Sequence, residues 1–386
     1  MREAGAGREE PPFDALAADL GALFSRGIDA PLDDTAFDHW ARRVFRWQFD
    51  HNPTYRGYCV GRGATPDSIG GWEEIPPVPT AAFKRLRLFS VEESKQPEAI
   101  FETSGTTRTE KKGEHWVASL ALYRSALLPP FRAHLLPDGA RFPVVALLPP
   151  PDQAPRSSLS RMIAAVHDTL GAEGGGFFGA PDGSIRDEAL LGALRAAVDA
   201  KQPVLVATTA FGLVHWLDTL VRGSVRLVLP EGSRMMETGG FKGRARAVSR
   251  AELYDGVRDA LGLPADRIVN EYGMTEMLSQ FYEPTLSEPL GPDLSERFHV
   301  APPWVRTRVL DPVTLDPVAD DQPGLLCHHD LANAGSVAAV LTEDMGVQLE
   351  RGFRLLGRAP GAEPRGCSLA TEELLASATM MRAARK

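Results

Sequence analysis

Apolar residues recur at helical spacing in the first quarter of the chain. Phe13, Leu16, Ala17 and Leu20 fall on one face of a 3.6-residue repeat, and residues 37–49 repeat the pattern. Residues 13–89 therefore read as mainly helical, interrupted where Pro76, Pro77 and Pro79 break the run. From about Ile100 short apolar runs alternate with helical ones. Residues 141–148 (RFPVVALL), 204–207 (VLVA), 225–229 (VRLVL) and 267–270 (RIVN) read as buried strands. Helices are predicted over 122–136, 158–170, 185–200, 211–221 and 249–261. Such alternation builds βαβ units and a largely parallel sheet covered on both faces. After Glu283 the pattern turns to antiparallel strands at 305–312 and 324–328, then a run at 337–341 and a final helix over 369–385.

The expected class is α/β, with layered parallel-rich sheets, a small β-rich segment and a terminal helix. A disordered tail is expected over 1–12. One large domain would span 13–345, with a helical part at 13–95, an α/β part at 96–283 and a β-rich part at 284–345. A short C-terminal segment, 346–386, would carry Cys367.

Composition narrows the function classes. The apolar fraction is 43% and the formal net charge is −9, which opposes a general attraction to nucleic acid. Basic residues come in short groups, such as Lys84-Arg85-Leu86-Arg87, that suit a small anionic ligand. Cys59, Cys327 and Cys367 are too few and too scattered for a disulfide framework or a paired metal site. The first twelve residues hold no apolar run, and no stretch approaches the roughly 20 apolar residues that span a bilayer. A reducing, cytoplasmic location is the expectation.

Two segments carry candidate chemistry. Thr103-Ser104-Gly105-Thr106-Thr107-Arg108-Thr109-Glu110-Lys111-Lys112 places small and hydroxyl residues directly after an extended segment. Backbone N–H groups beside a glycine, hydroxyls and a lysine donate to phosphate oxygens without bulk. An ordinary polar turn has the same composition, and the spacing is not that of a Walker loop. Asn270-Glu271-Tyr272-Gly273-Met274-Thr275-Glu276 follows a buried strand, where open α/β sheets bind ligands. Its ring, hydroxyl and carboxylate can stack a base, touch a phosphate and hold Mg²⁺. A plain strand-to-loop turn explains the same residues.

Taken in order, Ser-Gly-Thr-Thr with Lys111, then Tyr-Gly-Met-Thr-Glu, resemble two signature motifs of the adenylate-forming superfamily of acyl-CoA synthetases, adenylation domains and luciferases. Thr342-Glu343-Asp344 resembles its ribose-binding segment, and Gly357-Arg358 stands where that superfamily has its hinge. The closer resemblance is to LuxE-type acyl-protein synthetases, through residues 79–84, 236–244 and 356–369. The chain stops soon after Arg358, as that subfamily's does, without the mobile C-terminal domain of about a hundred residues. Arg108 and Glu110 depart from the superfamily's loop, which has Gly and Pro there.

The resemblance implies the large N-terminal-domain fold of that superfamily and a set of roles. Ser104, Gly105, Thr106, Thr107 and Lys111 would hold the β- and γ-phosphates of ATP. Thr275 would touch the α-phosphate and Glu276 would bind Mg²⁺. Tyr272 would stack on adenine opposite Gly239 and Gly240, with Gly273 giving the turn its freedom. Asp344 would bind the ribose, and Arg358 the ribose or phosphate. Cys367, placed just before the terminal helix with a cap at Ser368 or Thr371, would accept the acyl group as a thioester. A small buried cysteine packing at a helix start is the bland alternative.

The implied reaction joins a carboxylic acid, most simply a fatty acid, to AMP and passes it through Cys367 to a reductase-like or carrier protein. A coenzyme A ligase and a non-catalytic nucleotide-binding subunit are the rival functions. His115 is a weaker candidate for the acyl pocket's border. His215 is expected in a core, and adjacent His328 and His329 are expected to diverge rather than bind zinc.

Overall fold

The structure, a computed structural model, describes residues 12–103, 111–239, 248–288, 290–291, 293–359 and 364–384. Three helices open it: α1 (Phe13–Phe24), α2 (Asp34–His51) and α3 (Pro53–Gly61). On α2 the Asp33 side chain accepts from the Ala36 N–H, and Phe37, Ala41, Val44, Phe45 and Gln48 are buried at helical spacing. Asn52 caps α3, with Pro53 at its first position. Helix ends at Gly61, so the helical expectation to residue 89 is too long. Short 3₁₀ turns and β1 (Val78–Pro79) fill the interval, because the prolines leave the backbone extended.

A hairpin follows, β2 (Ala99–Glu102) against β3 (Glu114–Val117). The chain then winds through α4 (Leu120–Leu135), β4 (Pro143–Ala146), α5 (Ser158–Leu170), β5 (Ala172–Phe177), α6 (Asp187–Asp199), β6 (Leu205–Thr209), α7 (Ala210–Arg222), β7 (Arg234–Thr238), α8 (Arg250–Leu261), β8 (Ile268–Tyr272) and β9 (Phe281–Tyr282). Their sheet has the order β5-β4-β6-β7-β8-β9, parallel throughout except for β9.

Successive strand residues bury on opposite faces. Ala146, Ala207, Met236 and Val269 pack with α1, α2, α4 and α5, whereas Val145, Val206, Met235 and Ile268 pack with α6, α7 and α8.

Two strands differ from the expected set. Residues 225–229 are apolar but form no strand; the Leu227 and Leu229 N–H groups donate to Ala260 and Leu261 at the end of α8. Their slot in the sheet belongs to β7, disguised by Arg234 at its start. That buried guanidinium donates to Asp138 and to the Leu135 carbonyl, over the ring of Phe142. The other missed strand, β5, reads Ala-Glu-Gly-Gly-Gly-Phe, with no apolar run to reveal it.

The last part forms a second sheet from β10 (Val305–Leu310), β11 (Pro323–Asp330), β12 (Ala339–Leu349) and β13 (Gly352–Arg358). Its order is β1-β12-β11-β10, with β13 also on β12. β12 runs unbroken across residue 345, where a division was expected. Helix α9 (Arg365–Ala384) packs on α3 and β1, tied by Ser377 to the Thr54 carbonyl and by Glu373 to Arg62 at 2.8 Å. It starts four residues earlier than the pattern suggested, so Cys367 lies inside its first turn. Thr371 is no cap: its hydroxyl donates back to the Cys367 carbonyl.

β5 needs glycine because a Cβ on Gly175 would stand 2.5 Å from both the amide nitrogen and the carbonyl oxygen of Val144. Those backbone atoms cannot yield without loosening β4. Gly175→Ala is expected to cost about 1–3 kcal/mol, read as a lower urea midpoint at unchanged slope.

Candidate active site

Antiparallel hairpin strands flank both motif segments, and the second segment begins inside its strand. β2 and β3 carry the first, and β8 and β9 carry the second, with Tyr272 opposite Phe281. The ends of the first loop are pinned. Thr103 N–H donates to the Gly113 carbonyl and Gly113 N–H to the Thr103 hydroxyl, each at 2.9 Å. Ser104, Gly105, Thr106 and Thr107 lie outside the described residues, as does Gly240. Lys111 is exposed just beyond them. Lys112 pairs with Glu102 at 3.3 Å, and Arg156 bridges Glu102 and Glu114.

The two hairpins meet at Thr275. Its hydroxyl donates to the Glu102 carbonyl at 3.3 Å, and its carbonyl accepts from His115 Nδ1 at 2.8 Å. A carbonyl only accepts, so the His115 proton sits on Nδ1. Burial lowers this imidazole to about 4, leaving it neutral. His115 thus ties one motif to the other and does not line the adjoining cavity.

Behind the turn, Asp330 and Asn333 hold the backbone. Asp330 accepts from the Leu278 and Ser279 N–H groups and from the Ser279 hydroxyl at 2.7 Å. Asn333 accepts from Leu278 N–H and donates to the Glu276 carbonyl, both at 2.9 Å. Glu276 itself is buried.

Tyr272 is 7% exposed, enclosed by the rings of Phe281, His299, His328 and Phe353. Its hydroxyl donates to Asp344 at 3.0 Å. Asp344 faces Arg358 across β12 and β13, and the exposed Arg358 guanidinium stands 3.4 Å from Glu343. Such an exposed pair contributes little stability.

A cavity of about 710 Å³ opens where the hairpins meet, at the C-terminal ends of β7 and β8. Gly239, Gly273, Thr275 and Lys112 border it; Tyr272, Glu276, Asp344, Arg358 and Cys367 do not. Gly239 has φ +81°, the left-handed region that favours glycine. It also borders a second hollow of about 890 Å³ on the α8 side. Beneath that hollow lies a polar network. Glu237 accepts from Tyr254 at 2.9 Å and Asn270 at 2.6 Å, and His299 Nε2 donates to Asn270 at 2.8 Å. Glu283 accepts from Arg250 and, at 3.2 Å, from Arg297.

Sequence reasoning overlooked Glu271, Gln280 and Thr238 in the first cavity and the clamp of Asp330 and Asn333. The available signal for Glu271 was a carboxylate at an interior position of an apolar strand. Cys367 is 1% exposed, packed with Leu310, Leu325, Cys327 and Leu341, its thiol 3.7 Å from the Thr342 carbonyl. His215 is exposed against Phe211, not in a core; its neighbour Trp216 is the buried residue. His328 reaches Thr307 and Phe281, whereas His329 reaches Trp72 and Cys327.

Desolvation raises both Glu237 and Glu271 to about 7. Between about 4.5 and 7 the folded chain therefore binds more protons than the unfolded chain, and stability falls as pH rises through that window. Each carboxyl accounts for up to about 3 kcal/mol of the loss. Glu237→Gln should flatten the decline, measured as urea midpoints at pH 5 and pH 8.

Residues 185–376 match the family described as acyl-protein synthetase, LuxE. The long-chain-fatty-acid--luciferin-component ligase of Aliivibrio fischeri is 24% identical over 81% of this chain and 79% of its own. A solved 2-hydroxyisobutyryl-CoA ligase in an open conformation, bound to an adenylate and coenzyme A, has the same fold. It superposes with a TM-score of 0.60 at 16% identity, over 84% of this chain and 74% of that one. Its postadenylation state gives 0.63, at 16% identity over 84% and 67%. Family model, relative and fold point the same way: residues 185–376, just under half of the chain, are similar to the LuxE type of acyl-protein synthetase, and the chain has the large-domain fold of the adenylate-forming enzymes.

Proposed function

We propose that the chain activates a fatty acid with ATP and then carries the acyl group on Cys367. The observation behind this reading is the meeting of two hairpins, far apart in sequence, through Thr275 at the rim of one cavity. A carboxylate oxygen attacks the α-phosphorus, the bond to the β-phosphate oxygen breaks, and pyrophosphate leaves. Two anions must approach, so the protein's task is positioning and charge neutralisation. Lys111 and the residues 104–107 before it would hold the outer phosphates, and Thr275 the α-phosphate. Asp344 would accept from the ribose hydroxyls. Gly239 and Gly240 would leave room for the base beside Tyr272.

Glu276, the buried carboxylate next to Thr275, would have to turn toward the phosphates to hold Mg²⁺. Among the described residues no three His, Cys, Asp or Glu side chains converge, and Mg²⁺ typically takes one or two carboxylates plus substrate phosphates. The ion would neutralise charge on the phosphates.

In the second step the Cys367 thiolate attacks the acyl carbon, the carbon–oxygen bond to phosphate breaks and AMP leaves. Because the thiol is enclosed by apolar side chains, transfer requires the first turn of α9 to move from β12. The thioester then passes to a partner protein of the reductase or carrier kind. Burial of Cys367 also keeps a second reading alive, in which coenzyme A takes the acyl group directly and Cys367 only packs.

An acid panel scored by pyrophosphate exchange into ATP tests both steps. Cys367→Ser is expected to keep exchange within about twofold and to lose the covalent acyl label. Equal labelling of both proteins would reject Cys367 as the carrier, and silence with every acid would reject the activation. Asp344→Ala should weaken ATP in the same assay by about tenfold, the loss of a hydrogen-bonded charged group.

A further inference from the structure

The first cavity has a polar buried wall. Glu271 is 4% exposed and shares the cavity with Thr238, Gln280 and Ser160, all buried. Thr238 and Glu271 are the register partners at the C-terminal ends of neighbouring strands, and the Thr238 hydroxyl donates to one carboxylate oxygen. The other oxygen is pressed against Gly273: a Cβ there would stand 2.3 Å from it. Gln280 spends its amide N–H on the Leu278 carbonyl, and its carbonyl oxygen has no partner among the described residues. The Ser160 hydroxyl has none either. Apolar lining comes from Leu148, Leu159, Met162 and Phe211.

A plain alkyl chain entering here would displace water from Glu271 and Gln280 and return no hydrogen bond. Each stranded buried polar group costs about 1–3 kcal/mol. Resting on the proposed activation, with the acid placed in the cavity beside Thr275, we infer that its substrate carries a hydrogen-bond donor, hydroxyl or ammonium, near the carboxyl end, received by Glu271 and Gln280. The position follows from Gly273: it presses on Glu271 and lies two residues before Thr275, a reach of about 7 Å in extended chain. That places the donor within the first few carbons. Burial raises the Glu271 carboxyl, and among the described residues the cations that line the cavity, Lys112 and Arg156, are paired with Glu102 rather than with Glu271.

The test compares acids of equal length that are unsubstituted, or carry hydroxyl or amino groups at carbon 2, carbon 3 or the far end. Pyrophosphate exchange and calorimetric binding without ATP are both measured. A donor at carbon 2 or 3 should raise kcat/KM by about tenfold or more over the unsubstituted acid. Comparing the hydroxyl and amino arms shows which donor is used. In Glu271→Leu that ratio should fall below about two, chiefly through better use of the plain acid. Gln280→Met should lower it in the same direction, which covers a failure of Glu271→Leu to fold. Equal or better use of the plain acid by the parent protein, or an unchanged ratio in the variants, overturns the inference. Exchange absent with every acid, but binding that prefers the donor-bearing acids and loses that preference in Glu271→Leu, would sink activation and leave the pocket assignment standing. Binding without preference would sink the assignment itself.

Discussion

The site depends on how the loop between β8 and β9 is held. A hairpin loop of this length leaves several backbone N–H groups without strand partners, and buried ones must find acceptors. Asp330 and Asn333, from the second sheet, supply them at Leu278 and Ser279, while Asn333 also donates to Glu276. Burial raises the Asp330 carboxyl, and four donors, counting Ala332 N–H, offset that desolvation. The second sheet is therefore part of the site's construction: without its Asp330 and Asn333, the Leu278 and Ser279 amides would lose these acceptors.

The same turn is held from the other side by His115 and Glu102 of the first hairpin. Between these supports the sheet ends in carboxylates on both faces, Glu271 toward one hollow and Glu237 toward the other. Each is buried, and desolvation raises the proton affinity of both, with the Glu237 charge adding to the rise at Glu271. Natural sheets rarely bury such groups without partners. Glu237 accepts from Tyr254 and Asn270 on one oxygen, and its other oxygen has no partner among the described residues. Among the described residues Glu271 accepts from the Thr238 hydroxyl, at the wall of the first cavity.

Periodicity revealed the elements that follow simple burial. Alternation of strands and helices, the antiparallel pair after residue 300 and the terminal helix were all legible, because apolar spacing encodes them. β5 and β7 were not. Three glycines hide the first, and a buried arginine with its own acceptors disguises the second. The apolar run at 225–229 misled because its backbone bonds go to α8. In the site, the motifs located Thr275 and Gly273, but supports such as Asp330, Asn333 and His115 come from segments with no local signature. Only the fold brings them within hydrogen-bond reach.

Thr342 joins two parts of the proposed chemistry that the sequence set twenty-three residues apart, Asp344 and Cys367. Its hydroxyl accepts from the Asp344 N–H and donates to the Leu326 carbonyl, while its own carbonyl accepts from the Cys367 thiol. Movement of β12 on one side must therefore alter contacts on the other. A thiol that leaves its shelter against β12 gives up, among its other contacts, its hydrogen bond to the Thr342 carbonyl and its apolar neighbours, Leu310, Leu325, Cys327 and Leu341. Burying a group of that size is worth only about 1–2 kcal/mol. An enclosed cysteine is thus chemically consistent with the proposed carrier role: the shelter protects the thiol until the first turn of α9 moves from β12.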